Sequence, residues 1–64
     1  MERGINLMNQ GRLHAAERLF SDLIMIEPDY IEAWNKRATI RFMMGRMDQS
    51  LEDVSVVLLS LIHI

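Results

Sequence analysis

The chain contains no cysteine, one proline, three glycines, one tryptophan, one tyrosine and two histidines. Without cysteine there can be no disulfide, no thiolate metal site and no thiol nucleophile. That absence fits a reducing compartment and points to the cytoplasm, with the periplasm open if a signal peptide lies upstream. Its two histidines, His14 and His63, have no second histidine or cysteine three or four residues away, so no metal site is expected and both are read as solvated. Long apolar runs are also missing. The longest uncharged one, 54–64, is half of the roughly 20 residues a membrane helix needs, so no membrane span is expected. The N-terminus has Glu2, Arg3 and Gly4 where a secretory signal would have a basic region leading into an apolar one. A formal net charge of −2 supplies no clustered basic surface, which disfavours nucleic acid as a partner.

What is present suits a small helical domain. Half of the 64 residues are apolar and a quarter charged, a globular composition. A chain of about 60 residues buries only about 60% of the surface its unfolded form exposes, so its stability is marginal. Met1 to Gln10, stopped by Gly11, reads as about two helical turns, too short to stand without a neighbour. From Leu13 to Ile26, apolar residues at Leu13, Ala16, Phe20, Leu23 and Ile24 recur every three or four positions, with Leu19 and Ile26 widening the stripe. Glu17, Arg18 and Asp22 are placed on the solvated face of that helix. A fourth helix is expected from Asp48 to about Leu59 after a turn at Arg46 and Met47, although Val54, Val56 and Val57 make strand a competitor for its last third.

Between Pro28 and Gly45 lies the best-marked helix. Pro28 closes the preceding helix, Asp29 and Glu32 stand at capping-box spacing, and Gly45 suits the residue after a helix C-terminus. It carries the only Trp, with Ala38 one turn beyond Trp34, a large anchor beside a small residue that predicts packing between two neighbouring helices. Arg37 and Arg41, one turn apart, repel each other and require acidic partners, which carboxylates of an adjacent helix can supply.

Laid on itself, the chain repeats. Gly11 and Gly45 are 34 residues apart (45 − 11), and in that register Gly4 meets Ala38, Arg12 meets Arg46, Leu13 meets Met47, Ala16 meets Ser50, Phe20 meets Val54 and Leu23 meets Val57. Small residues fall on small and apolar on apolar. A helix–turn–helix unit of this length resembles the tetratricopeptide repeat (TPR) family, whose second helix looks like Ala16, Phe20 and Pro28 and whose first looks like Trp34 and Ala38. The likeness runs from about Gly4 to Leu59. Arg3 and Arg37 stand where the family usually has Leu, and Leu7 and Arg41 where it has an aromatic residue, which predicts weaker contacts between first helices. Ile62 replaces the second closing Pro. The segment 60–64 matches no repeat position and is similar to a translated adapter read-through, suggesting a truncated piece of a longer repeat protein.

The expected fold is therefore all-α: four antiparallel helices of a TPR-type α-solenoid, with residues 1–29 as an incomplete first repeat, 30–59 as the second and 60–64 as an atypical tail. No catalytic constellation or cofactor is implied. Glu52 and Asp53 are adjacent on a helix and point apart, so they are assigned to capping and solubility, and Ser50 is a packing residue. Met25, Met43, Met44 and Met47 are assigned to core gaps and helix contacts. The resemblance implies a concave groove for a peptide or helix of a protein partner, lined by Ile5, Met8 and Asn9 from the first copy and Asn35, Thr39 and Phe42 from the second. Two alternatives to this non-catalytic scaffold remain: self-association through apolar repeat ends, and an accessory segment of a larger multidomain enzyme.

Overall fold

The computed structural model describes residues 2–62, with side chains described through Ser60. Four helices follow in order: α1 (Glu2–Asn9), α2 (Leu13–Ile26), α3 (Ile31–Met43) and α4 (Met47–Ile62). Each packs against the next in the chain, so α3 lies between α2 and α4 as its large and small residues predicted. No strand occurs among the described residues, and the three valines of α4 are helical. The start of α4 falls at Met47, inside the segment expected to be a turn, and the helix runs through 60–62 of the atypical tail. His63 and the end of that tail lie outside the described residues.

The 34-residue period is visible in the backbone. After α1, the Gly11 N–H donates to the Met8 carbonyl at 3.0 Å and the Arg12 N–H to the Leu7 carbonyl at 2.9 Å. After α3, Gly45 donates to Phe42 at 3.0 Å and Arg46 to Arg41 at 2.8 Å, the same pair of bonds shifted by one repeat. This is the Schellman arrangement, which needs a left-handed residue; Gly11 and Gly45 supply it at φ 77° and 81°. Both turns reverse the chain in the same way, making two helical hairpins, α1/α2 and α3/α4. The start of α3 differs from expectation. Tyr30 occupies the cap position and no side chain caps the helix, so Asp29 and Glu32 do not form the capping box their spacing suggests.

The core is small. Ala16, Phe20 and Ile24 of α2 meet Ala33 and Ile40 of α3, with Leu7, Met8, Leu13, Leu23, Tyr30, Trp34 and Met44 packed around them. Phe20 is fully buried and its ring lies against Gly4: a Cβ there would sit 2.5 Å from Cζ, closer than atoms can approach. Gly4 is therefore the gap into which Phe20 fits. The second hairpin holds Ala38 and Val54 at the matching positions, exchanging a larger small residue for a smaller large one. Trp34 is half-buried at the edge of the core, where its indole N–H donates to the Pro28 carbonyl at 2.9 Å. Several residues expected inside are on the surface: Met25, Met43 and Met47 and the stripe-widening Ile26 are exposed, leaving Met44 as the member of that methionine group packed on the core.

Candidate functional site

α3 presents two functional-looking faces. One points between α2 and α4 and carries the arginines. Arg37 grips Asp53 with two donors, Nε to Oδ2 at 2.9 Å and Nη2 to Oδ1 at 2.7 Å, while its Nη1 donates to Ser21 Oγ at 3.2 Å. Arg41 bridges Glu17 Oε2 at 2.9 Å and Asp53 Oδ2 at 3.1 Å, and Arg46 adds a longer contact to Glu17 at 3.4 Å. The Arg37 guanidinium also lies 4.8 Å from the Trp34 ring centroid, a cation–π distance. The acidic partners that the two arginines require are thus carboxylates of both neighbouring helices.

Asp53 is 1% exposed, so its assignment to capping and solubility is corrected. It falls three residues after Ser50 and four before Val57, on the inward arc of α4, and is buried because two guanidiniums meet it. Glu17, placed on the solvated face of α2 by its polarity, is half-buried in the same cluster. A bidentate, charge-assisted clamp of this kind holds geometry better than a single contact. At positions 37 and 41, which depart from Leu and aromatic, the side chains form ion pairs to the second helices α2 and α4, not contacts between the first helices. No buried side-chain nitrogen or oxygen among the described residues lacks a partner.

The other face of α3 opens to solvent. Asn35, Thr39 and Phe42 line one shallow cleft of about 270 Å³ together with Ala38 of α3 and Ser50 and Val54 of α4. Its apolar part is Ala38, Val54 and the ring of Phe42, which is 59% exposed. Ser50 is buried and donates its hydroxyl to the Ala38 carbonyl at 2.9 Å, tying the two helices where both residues are small. Thr39 Oγ1 donates back to the Asn35 carbonyl at 3.1 Å. The Asn35 amide has no hydrogen bond to another described side chain or backbone group and faces solvent.

Of the six groove residues expected, the structure brings together the three on α3. Ile5 and Met8 are half-buried on α1, Met8 against the core, and Asn9 is exposed at the end of that helix, outside the cleft. Ala38 was read as a packing residue, yet with Val54 it forms the cleft floor. The signal lay in the self-alignment, since Val54 stands where the first hairpin has Phe20. Among the described residues no three His, Asp or Glu side chains could hold a metal ion, and no helix is long and apolar enough to cross a membrane.

Two helical hairpins related by a 34-residue period, closed by identical turns and stacked in one direction, define a helical-repeat protein. No family model and no solved structure matches the chain. A TPR repeat-containing protein of Rhizobium etli is 39% identical over 51 residues, which cover 80% of this chain and 25% of that protein. This likeness and the helical-hairpin fold support the resemblance to the tetratricopeptide-repeat family, whose members generally act as non-enzymatic protein-interaction scaffolds. It spans about a quarter of the length of the relative it matches.

Proposed function

We propose that this chain is a non-catalytic protein-interaction module that takes a peptide or helix of a partner along the α3 cleft of Asn35, Thr39 and Phe42, with Ile5, Met8 and Asn9 of α1 contributing outside that cleft. The observation that carries this reading is the open cleft where an exposed Phe42 ring stands beside an uncommitted Asn35 amide, over a floor of Ala38 and Val54. An aromatic ring beside an apolar floor offers buried contact area, and a free amide can pair with the backbone of an extended or helical ligand. The arginine clamp behind it holds α3 in place between its neighbours, so that the groove is presented on a rigid element.

The test is selection of peptides from a random displayed library on the intact chain, followed by titration against Asn35→Ala and Phe42→Ala. Both side chains lie outside the core, so helicity is expected to be unchanged. Truncating Phe42 should cost about 2 kcal/mol of binding if it anchors the ligand. Peptides that bind both variants as tightly as the parent would falsify the assignment.

A further inference from the structure

The repeat relation makes the two ends of the molecule comparable with its interior. Inside the chain, Leu13, Glu17 and Ile24 of α2 are half-buried or buried, Leu13 and Ile24 with the core and Glu17 against Arg41 of α3. Shifted by 34 residues, those positions are Met47, Leu51 and Leu58 on α4, exposed at 51%, 62% and 55%. They form an uncovered apolar stripe, and α4 carries Asp48 and Glu52 on its exposed surface and no basic residue. At the opposite end, α1 and α2 frame a cleft of about 400 Å³ lined by Arg3, Arg12 and Arg18, with Leu7, Leu19 and Asp22 among its other walls. One end is basic with an apolar floor, and the other is apolar with an acidic flank.

The correspondence extends to individual partners. In the interior, Arg37 donates to Ser21, Arg46 reaches Glu17, and Arg41 pairs with Glu17. The residues matching Arg37 and Arg46 are Arg3 and Arg12, and the residue matching Ser21 is Ser55, exposed on α4. Arg41 and Glu17 are matched by Leu7 and Leu51, so an ion pair in the interior corresponds to an apolar pair across the ends, with both members changed together. We propose that the chain binds a second copy of itself end to end, the α1/α2 hairpin of one copy seating on the α3/α4 hairpin of the next as α3/α4 seats on α1/α2 within the chain. Such an interface is heterologous and propagates instead of stopping at a symmetric dimer. The substitutions that test it lie outside the six cleft-lining residues, so its outcome is separable from peptide binding at Asn35 and Phe42.

The experiment is sedimentation of the full chain across concentration, with helicity checked by circular dichroism. Mass should rise past the dimer with concentration. Leu51→Lys, which sets a cation opposite Arg12 of the next copy, should weaken association by about tenfold, and Arg12→Glu alone should weaken it less. The two together in one chain should restore association, because position 51 then meets position 12 of another copy as Lys against Glu. Both positions are exposed, and Leu51→Gln serves as a milder variant with the same direction of effect. The proposal is overturned if the chain stays monomeric at all concentrations, which assigns the stripe to a different polypeptide. It is equally overturned by a plateau at dimer, or by a double variant no better associated than Leu51→Lys.

Discussion

Removing Asp53 tests whether the arginine clamp holds the hairpins together. In Asp53→Ala, Arg37 loses both of its carboxylate bonds and keeps only Ser21, while Arg41 retains Glu17. The site is buried, with Asp53 1% exposed, so water cannot simply take the place of the lost carboxylate. Breaking a buried pair by deleting one partner costs about 3–5 kcal/mol, most of it from the charge left behind. At about 0.05–0.15 kcal/mol per residue, a chain of this length has only about 3–10 kcal/mol of stability. The variant should therefore lose a large share of the total. In a urea titration followed by far-ultraviolet circular dichroism, with an m-value of about 1 kcal/mol/M, the midpoint should fall by about 3 M or the chain should be unfolded from the outset.

The companion variant separates lost charge from lost packing. Asp53→Leu combined with Arg37→Leu removes both charges and fills the space, and Leu19 already occupies the matching position of the first hairpin. Replacing a buried pair by apolar residues is often neutral, so this double variant should unfold within about 1 kcal/mol of the parent. Two results would refute the reasoning: an Asp53→Ala midpoint equal to the parent's, or a double variant as unstable as the single one.

Gly4→Ala should destabilise by about 1–2 kcal/mol, since overpacking against Phe20 outweighs the better helix propensity of Ala. Adding Phe20→Val reproduces the Ala38 and Val54 combination of the second hairpin, and thermal melts should show a favourable coupling of about 1 kcal/mol relative to the sum of the single changes. Trp34→Phe should cost about 1 kcal/mol through the lost bond to Pro28, and Trp34→Ala roughly 3 kcal/mol because the ring is half-buried; a Trp34→Ala melt coinciding with the parent's would show that the ring contributes nothing.

The features legible in the sequence are those whose physics is local. Pro28, Gly11 and Gly45 punctuate the chain because they restrict or free the backbone whatever surrounds them, and the structure breaks its helices at these points. Ala16, Phe20 and Ile24 were readable as core because three- and four-residue spacing places them on one side of a helix. Asp53 was not, because burial of a carboxylate depends on Arg37 and Arg41, supplied by another helix. The pattern held half of the answer: a carboxylate on the inward arc and two cations one turn apart that needed partners. Asp29 and Glu32 had the spacing of a cap but not the backbone path, since the helix begins one residue later than that cap requires. The exposed methionines were misplaced because side-chain polarity says nothing about whether a neighbour is there to cover them. The cleft residues on α3 were assigned by resemblance; only the grouping of Asn35, Thr39 and Phe42 over Val54 needed coordinates.

The ion pairs are unevenly shared. Among the described residues they tie α2 to α3, to the α3–α4 turn and, through Arg37 and Arg41, α3 to α4, and none reaches α1. α1 is eight residues long and is held by packing, with the contact between Gly4 and Phe20 at its centre. In hydrogen exchange the molecule should therefore divide into two cooperative units. The amides of α1 should exchange through a local opening that leaves α2, α3 and α4 closed, and those three helices should exchange only when the clamp itself gives way. Each such opening uncovers Phe20, so the most buried aromatic side chain of the protein is guarded by its least protected helix.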